Sequence, residues 1–304
     1  MSGTDIAFDN VKKGFEFTQK NYRKFFNEML KIIVLSFAVT FALVMILTLL
    51  AVGLAGVFSG SAAPMIAGIL ILIALIFIAA IIGEAIESVV YNAMDKWGKK
   101  MNIWGQAKKN LKPIFLYVLA MIVIYGILVI LPMMLMLGVS FGSLAYGEEN
   151  PAVMAGFVVG QLGARLYQMV ASIIIAFILQ FVMFELIVAR MGIIDSIRKS
   201  FSIVKKNFIP TIVFDIVTWA ISMAVAVVAI VALLILLLIL GLIAFALYGI
   251  AGDTALWIIA LGVLIFIIFI LALSALELTV VLPMQYYYWK AVRLTGVKQT
   301  KKKK

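Results

Sequence analysis

Five acidic residues sit where an acid is costly. Glu84, Glu87, Glu185, Asp215 and Glu277 all fall inside or near the ends of long apolar runs, and a carboxylate at such a depth needs a charged partner, a protein interior or a water-filled cavity around it. Glu84 and Glu87 are one helical turn apart and share a face. Glu87, Glu185 and Glu277 follow three Lys-Asn pairs at comparable distances, Lys20-Asn21, Lys109-Asn110 and Lys206-Asn207, so they read as counterparts. Two kinds of chemistry are open to them. Each acid pairs with a base such as Lys20, Lys109 or Lys206, or together they line a cavity open to the cytoplasm that binds a cation, exchanges a proton or holds a cationic amphiphile.

Much other chemistry is excluded. The chain has no cysteine and no histidine, which removes disulfides, thiolate nucleophiles, the usual zinc ligands and the commonest general base. Phosphate-loop, zinc-protease and nucleophile-elbow motifs are absent too. The expectation is a protein that is not an enzyme, with no cofactor and no metal site.

The elements that must position the acids follow from composition. The 304 residues are 65% hydrophobic and 13% charged, with a mean hydropathy of +1.20; a soluble domain has about half apolar and about a quarter charged residues. Six uncharged or nearly uncharged runs, over 32–57, 65–90, 114–137, 167–189, 211–246 and 254–282, each reach the roughly 20 residues that cross a bilayer. Turn-rich stretches at 53–64 and 248–253 join the first and third pairs into hairpins. Pro132 predicts a kink in the third run. A longer loop over 138–164 contains Glu148, Glu149 and Pro151, and the segment after Pro151, with Gly156 and Gly160 at close-contact spacing, is expected either to extend the fourth helix outward or to lie as a helix on the surface.

A polar segment precedes each hairpin. In the first, Phe8, Val11, Phe15, Thr18, Tyr22 and Phe25 step by three and four, with Lys12, Lys13, Lys20, Arg23 and Lys24 off the stripe; this predicts an amphipathic helix at the membrane interface. The pattern returns over 95–112 and, aligned without a gap, over 195–208. The stretch 15–21 is then a hinge between an interfacial helix and its span. Pro113 and Pro210 each stand three positions after an Asn, where a proline suits the first turn of a new helix. The Lys-Asn pairs are expected at the lipid-headgroup level. Tyr286, Tyr287, Tyr288, Trp289 and Lys290 read as an interface anchor, and the four terminal lysines as a polybasic tail.

Every Lys and Arg except Arg165 lies in residues 1–31, 92–112, 189–207 or 290–304. With six spans these segments share one side, so the positive-inside rule places them, and both termini, in the cytoplasm. The net charge of +11 is therefore assigned to anionic lipid headgroups rather than nucleic acid.

The aromatic, basic and Asn-containing segment before the first span, its return as D-S-I-R-K-S-F-S-I-V-K-K-N-F, and the closing Y-Y-Y-W-K resemble a multi-pass family related to the membrane domain attached to some glycerophosphoryl diester phosphodiesterases. The catalytic domain and its histidines have no counterpart here. The resemblance implies a helical, lipid-associated module without hydrolase activity.

The expected architecture is an all-α integral membrane protein, one domain over 1–304. Its six transmembrane helices form three pseudo-repeats (1–91, 92–188 and 189–304), each an amphipathic interfacial helix plus a transmembrane hairpin. The leading expectation for function is transport or binding of an ion or amphiphile through the acidic cavity, since transporters are often built from repeats. The alternative is a scaffold in the cell membrane that organises lipids, a membrane-protein partner or further copies of itself through its basic cytoplasmic helices.

Overall fold

The computed structural model describes residues 3–57, 62–144, 151–251 and 255–301. Among them the fold is wholly helical: α1 (Gly3–Val57), α2 (Ala62–Glu87), α3 (Val89–Asp95), α4 (Ile103–Tyr125), α5 (Leu131–Leu144), α6 (Pro151–Leu179), α7 (Ile193–Lys206), α8 (Phe208–Ala251) and α9 (Ala255–Lys301), with π-helical turns at Gly126–Ile130 and Phe184–Val188. Six stretches are long and apolar enough to cross a membrane: Thr4–Leu50, Leu72–Asp95, Ile103–Gly138, Met154–Val188, Phe208–Ile243 and Leu261–Leu294. Leu49, Ile73, Leu135, Ile173, Val228 and Ile268, one from each stretch, are well exposed. Apolar surface of that extent is stable in lipid and a liability in water. The chain is a multi-pass helical membrane protein, as its composition requires.

Residues 1–110 and 206–304 form one compact unit and residues 111–205 a second. In the first, α1 packs along α9 and α2 and also meets α8. The α1 face that is buried is built from small and polar side chains, Ala7, Asn10, Gly14 and Thr18, before it turns apolar at Phe25, Met29 and Ile32. Small residues let helix backbones approach closely. A Cβ placed on Gly14 would lie 2.5 Å from the Met284 Cα of α9, so no side chain fits there. On α2, a Cβ at Gly83 would collide with the Thr40 hydroxyl, and Ser36 donates to the Gly83 carbonyl at 2.8 Å.

Prolines and helix interruptions leave carbonyls without their usual donors, and neighbouring hydroxyls supply substitutes. Pro283 lies inside α9 and has no N–H for the Thr279 carbonyl one turn back; the Thr18 hydroxyl donates to that carbonyl at 3.0 Å. Pro132 likewise leaves the Leu128 carbonyl in the adjoining π-helical turn, and the Tyr167 hydroxyl of α6 donates to it at 2.7 Å. In the second unit α5 packs on α6, with Val129, Ile175, Leu179 and Val182 at the centre of its core. Just past the end of α6, Ser200 of α7 donates to the Ile178 carbonyl at 2.7 Å and accepts from the Phe181 N–H at 3.3 Å.

Several boundaries differ from the expected ones. The stretch 15–21 is no hinge: α1 is one unbroken helix of 55 residues, roughly 80 Å at 1.5 Å per residue. A change from polar to apolar surface does not interrupt backbone hydrogen bonding, and no proline or glycine stands between Gly14 and Gly53. The helix expected over 95–112 is divided, because the chain leaves α3 at Asp95 and turns through Gly98, at φ +83°, a backbone conformation that favours glycine. α4 then begins at Ile103 and continues through Pro113, which lies inside it rather than in a first turn. Only the third segment behaves as expected. There α7 ends at Lys206 and α8 begins at Phe208 with Pro210 in its first turn, while the Asn207 carbonyl accepts from both the N–H and the hydroxyl of Thr211. The expected extension of the fourth helix is present as α6, which starts at Pro151; Gly156 on it faces open space. Glu148, Glu149 and the terminal Lys302, Lys303 and Lys304 lie outside the described residues.

Candidate functional site

A heavily charged concavity is built by α1, the turn after α3, and the start of α4. It is an open pocket of about 690 Å³ lined by Lys24, Asn27, Glu28 and Lys31 from α1, Ala93 from α3, and Lys96, Trp97, Gly98, Lys99, Lys100, Met101 and Ile103. Five lysines thus face one carboxylate. Glu28 is paired with Lys31 at 2.8 Å along one helical turn. Lys24, Lys96, Lys99 and Lys100 have no ion-pair partner among the described residues, so their charges stand together uncompensated.

Trp97 fixes the turn that carries three of these lysines. Its ring meets Phe17 and Phe25 edge to face, with centroids 5.7 and 5.0 Å away, and its indole N–H donates to the Asn21 side-chain oxygen at 3.2 Å. Asn21 in turn donates back to the Phe17 carbonyl. Behind the turn, Asp95 accepts from the Tyr286 hydroxyl at 2.9 Å. The Lys99 N–H closes onto the Lys96 carbonyl at 3.0 Å, with Gly98 supplying the left-handed residue between them. On the far side Asn102 caps α4: its side chain accepts from the Gly105 N–H at 2.9 Å and its carbonyl from the Gln106 N–H. Ile103, the first residue of α4, is in the pocket lining, so the positive end of that helix borders the pocket.

The acids singled out from sequence do not line it. Glu84 is half-buried and Glu87 exposed on α2; Asp215 is half-buried on α8; Glu277 is exposed on α9; and Glu185 is wholly buried in the π-helical turn of the second unit. No cluster of three or more metal-ligating side chains occurs among the described residues. Lys20, Lys109 and Lys206 are exposed and reach no acid among the described residues.

The three asparagines have three different environments. Asn21 steadies Trp97, Asn207 forms the turn before α8, and Asn110 is wholly buried, with its amide donating to the Ser88 hydroxyl at 2.9 Å. Ser88 sits at the break between α2 and α3 and itself donates to the Ala85 carbonyl. Asn110 is thus a packing residue and presents nothing to a headgroup. The aromatic cluster at the end of α9 is also interior. Tyr286, Tyr288 and Trp289 are buried, and Tyr288 stacks on Phe214 at 4.2 Å and shares a hydrogen bond with Thr211.

A family model covers residues 58–294, from just before α2 to the last turns of α9. The chain belongs to a family of unknown function (DUF7544). Neither a curated protein nor a solved structure matches it. No similarity to the phosphodiesterase-associated membrane domain is found in these comparisons. The family match begins after α1, so Lys24 and Lys31 lie outside it while Lys96, Lys99 and Lys100 lie within it.

Proposed function

We propose that this is a non-enzymatic membrane protein that binds and organises anionic lipid through its basic end, with that end and both termini in the cytoplasm. One observation carries the reading: five lysines and a helix N-terminus converge on an open pocket with a single carboxylate, and four of the lysines have no counter-ion among the described residues. Their height supports it. Lys31 immediately precedes the uncharged run that begins at Ile32, Lys24 lies two turns earlier, and Lys96 to Lys100 follow the stretch Leu72–Asp95, which supports a position where spans leave the hydrocarbon and headgroups begin. Basic pockets at that level suit anionic headgroups. The clustering of Lys and Arg favours the cytoplasmic side by the positive-inside rule. This replaces the transport reading, whose acids contribute nothing to the pocket.

Three pseudo-repeats remain the reading of the fold that best accounts for how the polar segments dock. Thr18 bonds to the end of the last hairpin at Thr279, Asn110 to the end of the first at Ser88, and Ser200 to the end of the second at Ile178 and Phe181. Each polar segment thus attaches to the hairpin before it, the first serving the last. The exposed rows agree as well: Phe8, Phe15 and Tyr22 on α1 align with Ile194, Phe201 and Phe208, which are exposed in the same way.

Lipid retained by the full-length protein after gentle extraction tests the functional reading. Native mass spectrometry is expected to show anionic lipid enriched over its share of the host membrane, and K96Q/K99Q/K100Q to lose that enrichment. Retention in bulk proportion, or retention indifferent to the triple change, would refute it.

A further inference from the structure

Resting on the lipid-binding reading, we infer that the pocket selects a multivalent phosphate anion, a headgroup with two or more phosphate groups, over a headgroup with a single phosphodiester. The charge balance is the first argument. Five lysines against Glu28 leave the pocket strongly positive, and a phosphomonoester brings about −1.5 to −2 at neutral pH. Two phosphates therefore match the pocket's charge, whereas a monoanionic headgroup leaves most of the lysine repulsion in place.

Arrangement is the second argument. The lysines form two groups on separate elements, Lys24 and Lys31 on α1 and Lys96, Lys99 and Lys100 on the turn. Lys24 and Lys31 are two turns apart, about 10 Å along the helix. A cavity of about 690 Å³ falls within the roughly 300–1,000 Å³ of small-molecule sites, large enough for a polyol bearing two phosphates to reach both groups. The first turn of α4 adds donors of a third kind. Asn102 engages the Gly105 and Gln106 amides, and the amides of Ile103 and Trp104 precede them at the helix end, where anions bind.

Preorganisation is the third. Trp97, clamped by Phe17, Phe25 and Asn21, and Asp95, held by Tyr286, fix the lysine-bearing turn before any ligand arrives. Glu28 opposes binding by occupying Lys31, so it sets how much negative charge a ligand must bring to displace it.

The test uses the full-length protein in nanodiscs of phosphatidylcholine doped, at equal total charge, with a bisphosphorylated inositol lipid or with phosphatidylserine. Inorganic tripolyphosphate serves as a free anion. Binding is read by native mass spectrometry and by the shift in thermal unfolding. One bisphosphorylated lipid per chain is expected, held at least about tenfold more tightly than phosphatidylserine. K96Q/K99Q/K100Q should abolish the preference, K13Q, outside the pocket, should leave it intact, and E28Q should raise affinity for both lipids and widen the gap between them, since added positive charge attracts the more highly charged headgroup more strongly. Helical circular dichroism of each variant, unchanged because the lysines are exposed, separates lost binding from lost folding. Equal affinity for the two lipids would overturn multivalent selection while leaving the anionic-lipid reading standing. Binding of neither lipid nor tripolyphosphate would remove both. Tripolyphosphate binding through the same lysines, without either lipid, would keep the multivalent chemistry and assign it to a soluble anion.

Discussion

Thr18→Val tests the contact that joins the two ends of the chain. Valine keeps the volume of threonine but has no hydroxyl, so the Thr279 carbonyl, deprived of its helical donor by Pro283, loses the Thr18 bond of 3.0 Å. Thr18 is nearly buried and Thr279 fully so, which leaves no water to substitute. An unsatisfied buried acceptor costs about 1–3 kcal/mol; side-chain hydrogen bonds between membrane helices average about 0.6 and reach about 1.7 kcal/mol. The expected loss is about 1–2 kcal/mol, a factor of about 5–30 in the folded-to-unfolded ratio. The measurement is equilibrium unfolding in mixed micelles followed by helical circular dichroism, on Thr18→Val, Pro283→Ala and the double variant. Alanine at 283 restores an N–H to the Thr279 carbonyl, so in that background Thr18→Val should cost less than half as much. Equal cost in both backgrounds would refute the idea that Thr18 substitutes for the donor Pro283 lacks.

Other predictions follow from burial. Gly14→Ala forces the Met284 backbone to shift, since the new Cβ would stand 2.5 Å from its Cα; overpacking of this kind costs about 1–3 kcal/mol, and unchanged stability in the same unfolding measurement would show that α1 and α9 are not in close contact there. Asn110→Ala removes the bond to Ser88 inside the protein and should lower stability by about 1–3 kcal/mol with lipid preference unaltered. A change in lipid preference at full stability would return Asn110 to the headgroup level.

What could be read from the sequence, and what could not, divides along physical lines. The six spans were legible because length and hydropathy alone set them. The fate of the amphipathic stripe was not. In water the aromatic row Phe8, Phe15 and Tyr22 would be the buried face, but here that row is exposed and Ala7, Asn10, Gly14 and Thr18 are inside. Where both lipid and protein offer apolar surroundings, close backbone approach decides which face turns inward, and small residues win. The spacing predicts Pro113 in a first turn, whereas α4 carries it in its interior. The pocket left only a faint trace, since its lysines belong to two charge runs more than sixty residues apart. The pairing of Asn21 with Trp97 that brings those runs together is a tertiary contact no spacing announces. The acids drew attention because each is expensive where it stands, but expense marks a residue without saying what it meets.

The bond from Thr18 to Thr279 spans 261 positions in sequence, and that separation has a consequence for biosynthesis. At about 5–20 residues per second of translation, the partner surface on α9 emerges roughly 13–50 seconds after the small-residue face of α1. Throughout that interval Asn10, Gly14 and Thr18 have no α9 to lie against. α1 can dock on α2 early, but its small-residue face is covered only when α9 arrives, and until then the insertion machinery or transient lipid contact must shield it.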